Sequence, residues 1–548
     1  RFLSAQYYDS YDFLSRSEFS ELGFENDPNY GKRYTGGDKS LHTGSIRTSL
    51  SPQQTVRMPE AYYYDLHGRL VQCNGRNHLG GKDRYLARYD FTGRPVQTRE
   101  SHSSSASGSQ RGLTTTLAYD HDGRLSQRRT TLSSVTTPLT ARYSYDEAGR
   151  LSEKTLGPTP VSYAYNVRGW IGKIASAPFV SELRYENPRY GGAPLYSGMV
   201  SQWTWKHGQQ PENDYVFSYD GVGRMVAAKH FVDGARTDGY TERGIRYDAN
   251  GNLLSISRTA GGAVSDSLRF TLGGDVLLDV SGTSTGVFEY DPSGNLVKDG
   301  LNRLEFSYNC LNLMQTAETA SGALKAQFTY GSDGRKLSEK AKTGGFEYLG
   351  SLIYAYRGGT LSLAQAVTDE GTIQSAGVNY FIRDHLGSVR AVVDHTGKTV
   401  ERNDYYPFGG RHENSALSLL ATNRYKFGGK ESLEPVSLDM LDFGARFYDP
   451  RIARWNTQDP LAEKYFSLSP YNYCAGNPVT VTDPDGRALL SLQNRSPIYD
   501  RQGKFLGTDD EGLRSLWTPR ISDKACRPMK HGQSASTSTR WTKSPEIV

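Results

Sequence analysis

At 548 residues the chain exceeds a single core of ordinary size, a bound that repeat arrays escape because they grow by stacking units. With 37 tyrosines and 58 glycines against 6 methionines, the composition is that of aromatic strands and glycine turns, and it speaks against a helical enzyme. The 64 basic and 59 acidic residues leave only +5, which excludes a global nucleic-acid footprint.

The four cysteines, Cys73, Cys310, Cys474 and Cys526, stand alone, without the Cys-x-x-Cys pairing of a zinc or dithiol site, and no cofactor or metal is expected. No run of 18 apolar residues occurs, so no membrane-spanning segment is read. The chain opens on Arg1 and reads as a fragment or processed product, with any export signal lying upstream.

Residues 1–60 are polar and without period, and read as an irregular N-terminal remnant. From Tyr64 a motif recurs: Tyr64-Asp65-Leu66-His67-Gly68-Arg69-Leu70, then copies beginning at Tyr89, Tyr119, Tyr145, Tyr219, Tyr247 and Tyr290, with worn ones at Tyr165, Tyr308 and Tyr330. Successive tyrosines are mostly about 18 to 30 residues apart, in the range of repeat arrays.

Before each tyrosine the residues alternate, as in Tyr143-Ser144-Tyr145 and Phe217-Ser218-Tyr219, the period of a strand with one buried face. The aspartate caps the backbone ahead of it, the glycine takes a positive φ, and Arg-Leu opens the return strand. One such hairpin is marginal in water, so the units must stack. The expectation is an all-β fold of stacked antiparallel hairpins over residues 61–376, winding into a curled sheet or partial shell.

These units resemble the YD repeats of the Rhs family of bacterial polymorphic toxins, and residues 377–487 resemble its repeat-associated core. The core strings are Asp384-His385-Leu386-Gly387-Ser388-Val389, Tyr406-Pro407-Phe408-Gly409, Tyr425-Lys426-Phe427-Gly428-Gly429-Lys430-Glu431 and Gly444-Ala445-Arg446-Phe447-Tyr448-Asp449-Pro450. The resemblance implies a hollow, cocoon-like β-shell, plugged by the core, that encloses or presents a variable C-terminal effector in bacterial competition. It also implies a secreted or cell-surface setting, the C-terminal segment as cargo, and an immunity protein as partner. By length the chain looks short for a closed shell of its own.

In several Rhs proteins the core resembles an aspartic protease that cuts its own chain. The matching positions are Asp459 and Asp483, each followed by proline, with Arg446 as partner and cleavage near Gly486 and Arg487. Two close carboxylates cannot both ionise, so one serves as acid while the other activates water. Arg487 stands where cleaved members carry leucine, which puts cleavage in doubt. The plain alternative is turn chemistry with a structural ion pair.

Asp384-His385 invites a general-base reading but sits in a turn-like string. Tyrosines along the sheet could stack on sugars, which makes carbohydrate binding at a cell surface a third reading, with glycans as partners. No phosphate-loop, serine-hydrolase or zincin pattern occurs. The segment 488–548 carries 10 Lys/Arg against 6 Asp/Glu; Ser496–Gly507 reads as one more hairpin, and the remainder is small for a packed domain.

Overall fold

The computed structural model describes residues 3–36, 40–51, 55–105, 110–413, 423–491, 498–499 and 505–507. Among these, the regular structure is strand and short 3₁₀ turns throughout. The first strands are β1 (Ser4–Tyr8), β2 (His42–Leu50), β3 (Arg57–Tyr64), β4 (Leu70–Arg76), β5 (Lys82–Tyr89), β6 (Pro95–His102), β7 (Arg111–Tyr119), β8 (Leu125–Leu132), β9 (Leu139–Tyr145) and β10 (Leu151–Leu156). Each pairs antiparallel with the next, and the ladder continues in chain order to Thr399–Arg402.

The turn chemistry is that of the repeat. Asp120 Oδ1 accepts the N–H groups of Asp122 (3.0 Å) and Arg124 (2.8 Å), and Asp120 Oδ2 accepts Arg124 Nε (2.7 Å). Gly123, at φ 83°, turns the chain back, and the ladder slips by one residue at Tyr119. The same set recurs at Asp90 with Arg94, Asp146 with Arg150 and Asp220 with Arg224. At Asp248 and Asp291, Asn252 and Asn295 replace the arginine and reach the same oxygens.

What the motif did not reveal is how one unit grips the next. Arg94 lies 4.8 Å from the ring centroid of Tyr119, Arg124 4.9 Å from Tyr145, and Arg150 4.8 Å from Tyr165. Each tyrosine hydroxyl donates to a carbonyl of the preceding unit, Tyr119 to Pro95 (2.8 Å) and Tyr145 to Leu125 (2.9 Å). Arginine, tyrosine and turn carbonyl thus form a nearest-neighbour lock, with a cation over each aromatic face. The repeat tyrosines are committed to it, and nothing favours them as sugar platforms.

The array is a closed shell of 24 strands, not a partial one. Ser49 and Leu50 of β2 pair with Gly331 and Tyr330, and Ser332 donates its N–H to the Thr48 carbonyl (2.8 Å). Closure pairs the edge of β2 that would otherwise stay open at the seam. Residues 1–60 are therefore not irregular throughout, because β2 is the closing strand and its polar residues satisfy a ladder on both sides. The boundaries at 60/61 and 376/377 both fall inside continuous sheet: β3 spans the first, and Gly371–Gln374 pairs with Gly377–Arg383 across the second. Val481–Thr482 pairs with Leu490–Ser491 across 487/488.

The inward face of the ring carries the main core, from Leu113 through Phe328 to Val479. Core residues meet strands from many sectors: Trp205 and His207 donate toward Asp404 (2.9 Å each), Phe447 packs edge-on to Phe328, and Tyr471 donates to the Gly294 carbonyl (2.7 Å). A buried ionic knot adds to this. Lys336 Nζ lies 2.6 Å from Asp442 and 2.7 Å from Glu431, and Arg424 pairs with Glu339. Removing one partner of such a knot leaves the others buried and uncompensated. Ile498–Tyr499 and Phe505–Gly507 form the hairpin expected in the tail, whose Asp500 and Gly503 lie outside the described residues.

Candidate functional site

Proline after Asp449, Asp459 and Asp483 keeps the core chain out of helices, and in its place come short bridges and turns that cross one another. That crossing brings Arg446, Asp459, Asp483 and Gly486 together. Arg446 precedes the short strand Phe447–Asp449, and its guanidinium lies 4.1 Å over the Trp455 ring. Its Nη2 donates to Asp459 Oδ2 (3.0 Å) and Asp483 Oδ2 (3.2 Å), its Nη1 to the Pro470 carbonyl (3.0 Å), and its Nε to the Gly486 carbonyl (2.7 Å).

Asp483 holds the turn it begins. Its Oδ1 accepts the N–H groups of Asp485 (3.2 Å), Gly486 (2.8 Å) and Arg487 (3.0 Å), while Gly486 sits at φ 75°. Burial drives the Asp483 carboxyl above its ordinary pKa against the pull of Arg446, with Asp485 adding to the rise. Burial likewise lowers Arg446, opposed by its two carboxylates. Asp459 Oδ1 is used locally, accepting Leu461 N–H (2.7 Å), which leaves Oδ2 to the arginine.

Sequence reasoning missed Lys430. It donates to the Pro484 carbonyl, and burial, opposed by Asp483 and Asp485, brings its amine down to about 8. It lies in one of the strings that carry the resemblance, but no local spacing ties it to a loop more than fifty residues away. Trp455, under the guanidinium, was equally silent. Arg487 reaches outward, its side chain 36% exposed and 3.9 Å from Asp485, so it fills no apolar pocket.

Asp384-His385 is a turn: Asp384 Oδ1 accepts the N–H groups of Leu386 and Ser388, and His385 Nε2 lies 3.1 Å from the Val479 carbonyl with its ring edge-on to Trp203. Among the described residues no group of three or more metal-ligating side chains occurs.

The family model described as Teneurin YD-shell matches residues 196–473, half of the chain. The chain belongs to the YD-shell family. Its Rhs-type character stands with that assignment. The YD-shell chain is 38% identical over 109 residues to salivary gland surface protein 1 of Aedes aegypti, a stretch of 20% of this chain and 3% of the mosquito protein. It is 25% identical over 315 residues to double-stranded DNA deaminase toxin A of Burkholderia cenocepacia, covering 50% of this chain and 21% of the toxin. It shares a fold with the crystal structure of TcdB2-TccC3-TEV at TM-score 0.51 and 16% identity, over 81% of this chain and 27% of that one. The YD-shell chain thus spans a minor part of each of these relatives.

Proposed function

We propose that this chain is the shell and core of a toxin carrier, with the segment 488–548 as its shielded cargo in a secreted or cell-surface setting. The observation that carries the reading is the closed ring packed around a core in which a buried turn, at Asp483–Gly486, immediately precedes that segment in the chain. The sequence match to the deaminase toxin and to a relative named as toxin subunit YenC1, both toxins by name, supports the reading. The tail, with its 10 Lys/Arg, offers trypsin many sites. Its digestion in the intact protein is expected to be at least tenfold slower than that of the free 488–548 peptide. Equal rates would sink the carrier reading.

We further propose that the Arg446 cluster cuts the Gly486–Arg487 bond once, the geometry of Arg446 on the Gly486 carbonyl being the supporting observation. Asp459 takes a proton from water, whose oxygen attacks the Gly486 carbonyl carbon. Arg446 holds the developing oxyanion, Asp483 Oδ1 holds the Arg487 N–H (3.0 Å), and Asp459 passes the proton it took from water to the departing nitrogen of Arg487. The products are a Gly486 carboxylate and an Arg487 amine. Intact-mass measurement of purified protein is expected to show a break there that vanishes in Asp459→Asn; an unbroken wild-type chain overturns this step and leaves the carrier role standing.

A further inference from the structure

The strands β5–β9 alternate between an inner and an outer face. Inner residues are identified by contacts: Arg128 pairs with Asp369, and Tyr143 donates to Glu370 (2.6 Å). The opposite face carries Arg88, Arg99, Arg129 and Arg142, interleaved with Thr114 and Thr116. Arg88, Arg129 and Arg142 are exposed and Arg99 half-buried. Among the described residues none of the four forms an ion pair with a carboxylate, unlike Arg84 of β5, which pairs with Glu25.

Register places them in a band. Leu86 faces Arg99, which sets Arg88 diagonal to Arg99; Gln127 faces Arg142, which sets Arg129 diagonal to Arg142. Diagonal neighbours are about 7–8 Å apart, and the four strand steps from β5 to β9 span roughly 19 Å. No position sharing this face on β5–β9 is Asp or Glu. The nearest acids bound the band: Glu25, which pairs with Arg84 (2.9 Å) at the β5 end of the same face, Asp27 beside Tyr30, which itself reaches Thr114 and Arg99, and Glu153 on β10 opposite Ser144. Like charges at such separations repel without a counterion.

We propose that this outer face binds an acidic polysaccharide, its sulfate or carboxylate groups held by the arginine forks and its hydroxyls by threonine and glutamine. Guanidinium suits both oxyanions. A nucleic acid fits less well, because single strands need a succession of aromatic platforms and the outer positions of these five strands hold none. Tyr30 alone offers one ring, enough for one sugar.

The test uses the full chain against immobilised heparin, sulfate-free hyaluronate and a charge-matched single-stranded oligonucleotide, with thermal melts to verify folding. Arg88→Gln/Arg99→Gln and Arg129→Gln/Arg142→Gln are each expected to weaken polysaccharide binding at least tenfold at unchanged Tm, whereas Arg269→Gln on another strand leaves it intact. Tighter binding to heparin than to hyaluronate assigns sulfate, and the reverse assigns carboxylate. Wild-type affinity in both double variants, an equal loss in Arg269→Gln, no binding to either polysaccharide, or tighter binding to the oligonucleotide each overturns the proposal.

Discussion

Arg446 Nε lies 2.7 Å from the carbonyl oxygen of Gly486, forty positions further along the chain. The same side chain also holds Asp459, Asp483 and the Pro470 carbonyl, so it is a structural keystone whether or not the chain is cut. Removing it strands buried carboxylates, a loss of about 3–5 kcal/mol. Arg446→Gln is expected to lower Tm strongly, and Arg446→Lys to recover only part, because an ammonium cannot reproduce the fork. Thermal melts of both in a non-cleaving Asp459→Asn background check this, and a melt unchanged by Arg446→Gln would refute it.

The turn aspartate holds each hairpin closed locally. Asp120→Ala removes the acceptor for two N–H groups and for Arg124, and is expected to destabilise by about 1–2 kcal/mol. Asp120→Asn keeps the Oδ1 acceptor and should be milder. The chain makes that exchange itself at Asn166, whose Oδ1 accepts the N–H groups of Arg168 and Trp170 at 3.0 Å. Urea denaturation with amide exchange at Gly123 distinguishes the two.

Asp449 predicts a pH dependence. Burial, reinforced by Asp299, raises its carboxyl from 3.8 to about 7. A raised acid stabilises the fold when protonated: the contribution is complete below about pH 4 and is lost as pH climbs through 7. The span corresponds to roughly 4 kcal/mol. Asp449→Asn should therefore melt above wild type at pH 8 and converge with it near pH 4; parallel curves across the range would contradict the assignment.

Ring closure rests on a short seam. Arg47 of β2 pairs with both Glu60 and Asp333, next to the Ser49–Gly331 ladder. Asp333→Ala is expected to raise amide exchange at Ser332 by about an order of magnitude, an opening of ~1–2 kcal/mol, while exchange in β7 and β8 stays fixed. Uniform acceleration would mean global loosening instead.

Free thiols give a simple check on burial. Cys73 and Cys474 are buried, and burial drives both thiols well above their ordinary pKa, whereas Cys310 is exposed. A native-state maleimide pulse should label Cys310 at least a hundredfold faster than either.

The hairpin unit was legible because everything it needs lies within a few residues: Asp120 finds Asp122 and Arg124, Gly123 supplies the positive φ, and the alternation before Tyr119 sets the buried face. The stacking of units followed from the insufficiency of one hairpin. The grouping of Arg446, Asp459 and Asp483 came through resemblance, since nothing in their spacing says that three turns cross at one guanidinium. Three things were decided only by the tertiary structure. β2 became the closing strand because its partner at Tyr330–Gly331 lies some 280 residues away, and Lys430 joined the acidic loop through packing alone. Arg94, Arg124 and Arg150 acquired the next unit's tyrosine as partner. Local hydrogen bonds leave a periodic trace in a sequence, whereas contacts made by closing a ring or crossing turns depend on where distant segments meet, and no short pattern records that.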